Sequence, residues 1–418
     1  MVLELQSKVS WNEEQFRLLQ HKQFGSSSEK EPHPDFFNEA ETLADEAEPE
    51  ARETITYERK KPGRKPLPKD LPRKVIRHKL SESEQLEIIP AQVYVVEHVQ
   101  VKYACRACEE GIKIAAKPAQ PIPGSIASPS LLVYIIVSRF LDSLPLYRQE
   151  AIFNRYKIDI SRASMSNWVL KSAELLKPFY NRLLYYLIIQ KIIQADETTL
   201  RVINDGRENT SKSYMWLYQS GDYAPEYPVV LYEYQPTCAG QHAKAFLTGF
   251  PGYLQTDSFP GYHIFDGDDS DVILLGCMAH VRRKFHDALK ALPKDKQKKP
   301  GMVQMAISKI AKLYAIEKQI KYLNAEQRYL IRQEKSKPLL DDFKQWCDDK
   351  VSKTTKDSKL GVAIRYVINQ WNYLTIYLED GNLQIDNNTA EQRIKPFVIG
   401  RKNWVMNQNP RGADARCL

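Results

Sequence analysis

The 418-residue chain has no apolar run long enough to cross a membrane. Its longest, Leu131–Val137, falls far short of the roughly 20 residues a span needs. The start, MVLELQSKVSWNEEQ, lacks the basic-then-apolar layout of a secretory leader, so the sequence predicts a cytoplasmic protein with no membrane partner. Cysteine is scarce. Six residues (Cys105, Cys108, Cys238, Cys277, Cys347, Cys417) exclude a disulfide scaffold and fit a reducing compartment, and only Cys105 and Cys108 stand at metal-ligand spacing. No internal repeat is visible. What remains is an ordinary globular composition, 43% hydrophobic, which excludes disordered and collagen-like classes and allows about two to four domains.

The net charge of +8 is modest, but the charges are segregated. Glu29 to Glu58 holds eleven acids against two basic residues, and Arg59 to Lys79 holds ten Lys/Arg against one acid, Asp70. The boundary is rich in proline (Pro62, Pro66, Pro68, Pro72), which prevents a helix and favours extended backbone. Such a segment reads either as a soluble tether or as an extended arm, with Arg64, Lys65, Arg73 and Lys74 able to meet DNA phosphates and a narrow minor groove.

Residues 12–24 predict a short helix. Residues 86–104 alternate in strand fashion and lead into Cys105-x-x-Cys108. Two thiolates make half a zinc site, and His78 and His98 are the nearest residues that could add ligands. Helices are expected at Pro129–Leu141, Tyr147–Asn154 and Ser164–Leu176. The last two, joined by RYKIDIS, have a helix-turn-helix layout in which Arg162, Ser164 and Asn167 would lead the recognition helix; two helices that merely pack together look the same. Strands are expected at Lys191–Ala195, Ser213–Tyr218 and Pro228–Tyr234, a helix at Gly240–Leu247, and strands again at Tyr253–Thr256 and Val272–Gly276. This order implies a mixed sheet flanked by helices. Phe285 to Asp380 is helical throughout, with apolar stripes at Ile310, Leu313, Ile316, Ile320 and Leu323 and at Leu360, Ile364, Val367, Trp371, Leu374 and Leu378. The Lys-rich piece at residues 292–300 reads as an exposed loop.

Asp196 and Asp257 each end an apolar strand in this reading. If those strands are parallel neighbours, both carboxylates emerge at one edge of the sheet. Glu391 opens a later helix. Three converging acids cannot all stay ionised without cations, so they predict a site for Mg²⁺ or Mn²⁺, and two such ions suit phosphodiester chemistry. Each acid also has a plainer role: strand-end acids are common, and Glu391 could complete a capping box with Asn388 or pair with Lys395. The basic residues after it, Arg393, Lys395, Arg401 and Lys402, are candidates for DNA contact.

These residues, with FGSSSEK, GRKPLPKDLPR, SEQLEIIPAQVYVVEHVQVKYACRAC, LPLYRQE, ADET, CMAHVRRKF, AIRYVINQW and IDNNTAEQRIKPFVIGRKNW, resemble transposases of the insertion sequence 66 family. The resemblance implies an Asp-Asp-Glu triad, Asp196, Asp257 and Glu391, in a ribonuclease-H-like core with a helical block inserted before Glu391. It implies double-stranded DNA as partner (element ends and target), a homo-oligomer on DNA, and accessory transposition proteins as further partners. Cys277-x-x-His280 resembles a Cys-x-x-His that follows the second acid in such families; it reads equally as a metal pair or as a buried cysteine beside a satisfied histidine.

The sequence departs from the family where HKLSESEQLEIIP runs straight through, as though about twenty residues with a second Cys-x-x-Cys were missing, so the zinc-ribbon-like module is expected to be partial and zinc doubtful. Both ends look shortened. The expected architecture is α+β and multidomain: a short N-terminal helix (1–28), an acidic then basic linker (29–80), the partial zinc-ribbon-like module (81–125), a helix-turn-helix region (126–185), the ribonuclease-H-like mixed sheet (186–285), an all-helical insertion (286–385) and the segment carrying Glu391 (386–418). The activity expected is metal-dependent cleavage of element ends and joining of the 3′-hydroxyl to target DNA. An inactive DNA-binding remnant and a ribonuclease-H-type nuclease are the rival readings.

Overall fold

The computed structural model describes residues 11–17, 92–103 and 113–417, apart from 208–211, 222, 224–226, 258, 268–269, 298 and 405–406. Arg64, Lys65, Arg73, Lys74, His78, Cys105 and Cys108 lie outside the described residues. The chain divides into two units, residues 49–119 and residues 1–48 with 120–418.

In the smaller unit, Lys102–Tyr103 (β1) pairs antiparallel with Lys113–Ile114 (β2). Residues 92–101 take no regular structure, and Tyr94, Val95 and Val99 are exposed. The expected strand over 86–104 is thus reduced, within its described part, to two residues. Alternation makes a strand only where a partner strand and a covering face exist, and a two-stranded ribbon supplies little of either.

Among the described residues of the larger unit the first element is a short helix at residues 11–17 (α1). Pro129–Phe140 (α2), Leu146–Arg155 (α3) and Arg162–Ile188 (α4) follow. Ser128 caps α2 through Leu131 N, with Pro129 in the first turn where a missing N–H costs nothing, and Ser161 caps α4 through Ser164 N. Ile135, Phe153, Met165 and Trp168 form the core of these three helices. α4 runs twelve residues beyond the expected Leu176 and passes through Pro178. The lost backbone bond is tolerated because the second half of the helix lays Leu183, Leu184 and Leu187 against the sheet.

That sheet has the order β5-β4-β3-β6-β7, formed by Ile192–Leu200 (β3), Ser213–Ser220 (β4), Val230–Gln235 (β5), Tyr253–Gln255 (β6) and Ile273–Leu275 (β7). β3, β4 and β5 are antiparallel; β6 and β7 run parallel to β3. Gly240–Phe246 (α5) crosses between the two halves. This is the mixed sheet the sequence predicts. β4 is buried along nearly its whole length because both its faces are covered. Trp216 and Tyr218 join the core under α4 and α5, whereas Leu217 packs on Ala390 and Ile394 of Asn388–Trp404 (α12).

Between sheet and α12 come Met278–Ala291 (α6), the single turn Lys294–Gln297 (α7), Met302–Ile320 (α8), Ala325–Ile331 (α9), Lys337–Val351 (α10) and Lys359–Thr375 (α11); Pro410–Asp414 (α13) follows α12. The described part of the Lys-rich piece is largely exposed, as expected, but holds the α7 turn. Ile310, Leu313, Ile364 and Val367 meet Phe285 and Phe343 in one core. A π-helical segment, Arg332–Ser336, joins α9 to α10. It carries Arg332, whose guanidinium donates to Glu317 at 2.9 and 2.6 Å and to the carbonyls of Tyr377 and Asp380. Periodicity gave no sign of this buried pair. Among the described residues no helix is long and apolar enough to cross a membrane.

Candidate active site

The expectation that Asp196 ends its strand is corrected by the structure: it lies inside β3, which continues to Leu200. The strand lengthens because Glu197 to Leu200 pair with Trp216 to Ser213 of β4, and β-branched Thr198 and Thr199 suit that pleat. What ends near Asp196 is the parallel neighbour. β3 pairs with β6 only as far as Gln194 opposite Gln255.

Gln194 and Gln255 are hydrogen-bonded through their side chains at 2.9 Å, so they share a face. Asp196 stands two residues farther along β3 and so keeps the side of Gln194, while Asp257 follows Gln255 by two residues just past the end of β6, close enough for its charge to act on Asp196. Asp196 is also opposite Leu217 in the β3–β4 register, and Leu217 lies under α12. The helix that carries Glu391 therefore covers the face from which Asp196 projects.

Glu391 is 4% exposed. Its Oε2 accepts from Arg283 at 3.1 Å, and its Oε1 faces His280 Nδ1 at 3.5 Å, with neither of those two atoms making a hydrogen bond. The capping box with Asn388, one of the plainer roles open to Glu391, is not formed. α12 starts at Asn388, whose side chain donates to Asp386, while the Glu391 carboxylate turns to Arg283.

Burial raises every carboxyl here. Asp196 stands well above the ordinary carboxylate range, first through burial and then through the charges of Glu197, Glu391 and Asp257. Burial lifts Asp257, Glu391 to about 7, and Glu197 to about 8, with Asp257 adding to the last. Arg283 opposes the rise at both Asp257 and Glu391. The mutual effects place the three expected acids in one electrostatic site. They are nevertheless more open than expected: among the described residues only Cys277, His280 and Glu391 bring three ligand atoms within 4.8 Å of one another. Arg283 of α6 holds Glu391 at Oε2 and its charge also acts on Asp257.

The donor set fits a hard divalent cation. Oxygen ligands from three converging acids repel one another, and a buried carboxylate oxygen lacks a donor. The Cys277 and His280 pair fits a soft metal less well. Arg283 can only donate, so His280 Nε2, 3.2 Å from it, accepts and the ring proton sits on Nδ1 facing Glu391. Burial and the nearby cations Arg283 and Lys284 lower His280 to about 3, so it is neutral. Burial and the Asp386 and Glu391 charges raise the Cys277 thiol.

Sequence reasoning missed Glu197, whose Oε2 accepts from Tyr262 at 3.0 Å, although it sits beside Asp196 in ADET. It also missed Arg283, visible only as one of the basic residues in HVRRKF. Of the expected DNA-contact residues, Asn167 is exposed, Ser164 serves the Ser161 cap, and Arg162 is ion-paired with Glu150 at 3.0 Å. Arg393 and Lys402 are exposed, whereas Arg401 donates to Thr198 and Thr199 of β3.

The family model described as Transposase IS66 family matches residues 124–415. Residues 11–76 match one described as Transposase C of IS166 homeodomain, and residues 75–109 one described as the zinc-finger binding domain of transposase IS66. Three proteins of Sinorhizobium fredii (strain NBRC 101917 / NGR234) are similar over most of the chain. Uncharacterized protein y4jD is 33% identical across 81% of this chain and 67% of its own length. Uncharacterized protein y4hP is 29% identical across 90% and 73%, and uncharacterized protein y4qI is 32% identical across 77% and 60%. The chain belongs to the IS66 transposase family.

Proposed function

We propose that this chain cleaves the ends of its own mobile element and joins the freed 3′-hydroxyl to target DNA, with Asp196, Asp257 and Glu391 as the catalytic acids. The observation that carries the proposal is the convergence of the three acids: Asp196 and Asp257 follow the Gln194–Gln255 pair by two residues, α12 lies over the side from which Asp196 projects, and the charges of Asp257 and Glu391 both act on Asp196. The sheet, three antiparallel strands followed by two parallel to the first, supports a ribonuclease-H-like core.

In this reading Asp196, Asp257 and Glu391 would hold two Mg²⁺ or Mn²⁺ ions. Bound there, the ions supply activation of the attacking oxygen and charge neutralisation at the leaving oxygen. The protein's own groups set the conditions. The buried acids, with their raised pKa values, would hold protons in the metal-free chain. Arg283 steadies Glu391 at Oε2 and offers a second cation for a backbone phosphate at the same edge. Tyr262 fixes Glu197 and keeps that fourth carboxylate in place. α3 and α4 would bind DNA through Asn167 and Arg162, aided by the basic arm with Arg64, Lys65, Arg73 and Lys74, in a homo-oligomeric complex. Residues 75–109 contain only the cysteines Cys105 and Cys108, so we propose little or no bound zinc; one zinc per chain by mass spectrometry, lost on Cys105→Ser, would refute this.

The test is cleavage of element-end DNA in Mg²⁺. Asp196→Asn, Asp257→Asn and Glu391→Gln should each abolish cleavage and leave DNA binding in Ca²⁺ nearly intact. Cleavage retained by one variant removes that acid from the triad. Binding without cleavage in the unaltered chain marks a DNA-binding remnant, and cleavage without strand joining marks a nuclease.

A further inference from the structure

The ladder between β3 and β6 stops one step early, and a side chain takes the place of the missing bond. The carbonyl of Lys191 accepts from Tyr253 N at 3.0 Å, and carbonyls at every second residue of β3 point toward β6. Continued by two such steps, the same register would bring Asp257 N to the carbonyl of Ala195. Asn387 Nδ2 donates to that carbonyl instead, at 2.8 Å, in a fully buried position.

Asn387 is tied to two further elements. Its backbone N–H donates to Cys277 Sγ at 3.3 Å, at the start of α6, and its carbonyl accepts from Glu391 N at 3.2 Å, in the first turn of α12. One residue thus touches the peptide preceding Asp196, the end of α6 that carries His280 and Arg283, and the backbone of Glu391. By ending the ladder at Gln255 it also leaves Asp257 out of the strand, where its carboxylate can accept from Phe259 N at 2.9 Å.

We infer that Asn387 is a positioning residue for cation binding: its side-chain amide replaces a ladder bond at Ala195 and so sets the separation of Asp196, Asp257 and Glu391. The inference rests on the metal site proposed above and adds which residue spaces its ligands. Asn387 touches neither cation nor substrate; it acts through the backbone on which the ligands stand. Loss of such a support typically lowers metal affinity about 10- to 100-fold.

The probe is Mn²⁺ alone, added to the full chain while thermal unfolding is followed, which needs no activity. Two variants are compared with wild type: N387L, which keeps the volume without the donor, and N387S, whose short hydroxyl falls short of Ala195. Asn387 Oδ1 is buried without a partner, so N387L loses nothing there, but it leaves the buried Ala195 carbonyl without its side-chain donor; the metal-free Tm should fall in both variants, and each Mn²⁺ response is read against that variant's own metal-free Tm. The Mn²⁺ concentration for half-maximal stabilisation should rise by about tenfold or more in both variants. Half-saturation within about twofold of wild type, in either variant that folds, overturns the inference, and failure of both to fold makes Asn387 a packing residue and overturns it equally. If wild type and Asp196→Asn alike show no stabilisation by Mn²⁺, the metal site itself is wrong and the inference falls with it.

Discussion

Gln194 and Gln255 are joined side chain to side chain across two parallel strands, and the two aspartates of the candidate site stand two residues beyond them. The pair belongs to a buried row: Gln219 donates to Gln194 Oε1 at 2.6 Å, Gln194 also donates to Gln384 Oε1 at 2.6 Å, and Gln255 donates to the Gln384 carbonyl at 2.8 Å. Gln194→Ala strands several of these buried groups at once. A loss of about 2 to 3 kcal/mol is expected in denaturant unfolding, against less than about 0.5 kcal/mol for an exposed control such as Lys402→Ala. Equal midpoints for the two would show that the row contributes nothing.

The acid site should make stability depend on pH in a definite direction. Glu391 and Glu197 sit at about 7 and about 8 in the folded chain, above the ordinary value near 4.3. A raised folded pKa means the fold binds the proton more tightly than the unfolded chain does. That contribution is complete below about pH 4 and is lost as pH rises through about 7 to 8. The metal-free Tm should therefore fall across this window, and Mn²⁺ should raise Tm more at about pH 8 than at about pH 5.5. Asp196→Asn should raise the metal-free Tm at the higher pH and cancel the Mn²⁺ response. A metal response independent of pH would contradict this assignment.

Arg332→Ala should be among the most costly substitutions in the helical block. It leaves Glu317 buried without its bidentate partner and takes the guanidinium donor from the carbonyls of Tyr377 and Asp380, the latter keeping its bond from Leu383 N. Removing one member of such a pair costs about 3 to 5 kcal/mol, whereas Glu317→Leu with Arg332→Met should recover part of the loss. A double variant less stable than either single one would show the pair to be irreplaceable.

DNA binding should separate into two classes of residue. Replacing Arg64, Lys65, Arg73 and Lys74 with Ala should lower affinity for all sequences and reduce the salt slope by up to about 0.9 for each phosphate that is no longer neutralised. Asn167→Ala and Arg162→Ala should change sequence preference, since Asn167 is exposed near the start of α4 and Glu150 fixes Arg162 there. Electrophoretic mobility shifts over a salt series, with element-end and unrelated duplexes, distinguish the two. Identical behaviour of both sets would count against a recognition helix.

Much of this protein was legible in the order of its residues. Alternation gave β4 and β5, and a period of three to four gave the stripes of α8 and α11, because these signals are local. The three acids were legible as types at element ends. Their convergence was not, because it depends on the β3–β6 register and on the seat of Ala390 and Ile394 against Leu217. Position within β3 also escaped the sequence: Asp196 and Glu197 look like a strand end until β4 supplies the partner that keeps the strand going. The stretch over 92–101 failed the other way, since among the described residues its alternation is met by backbone pairing only at its end, where Val101 accepts from Ala115 N. Arg332, Arg283, the glutamine row and Asn387 are polar residues whose partners lie far away in the chain. Only the tertiary structure could decide them, because a buried polar group acquires its role from the one partner that satisfies it.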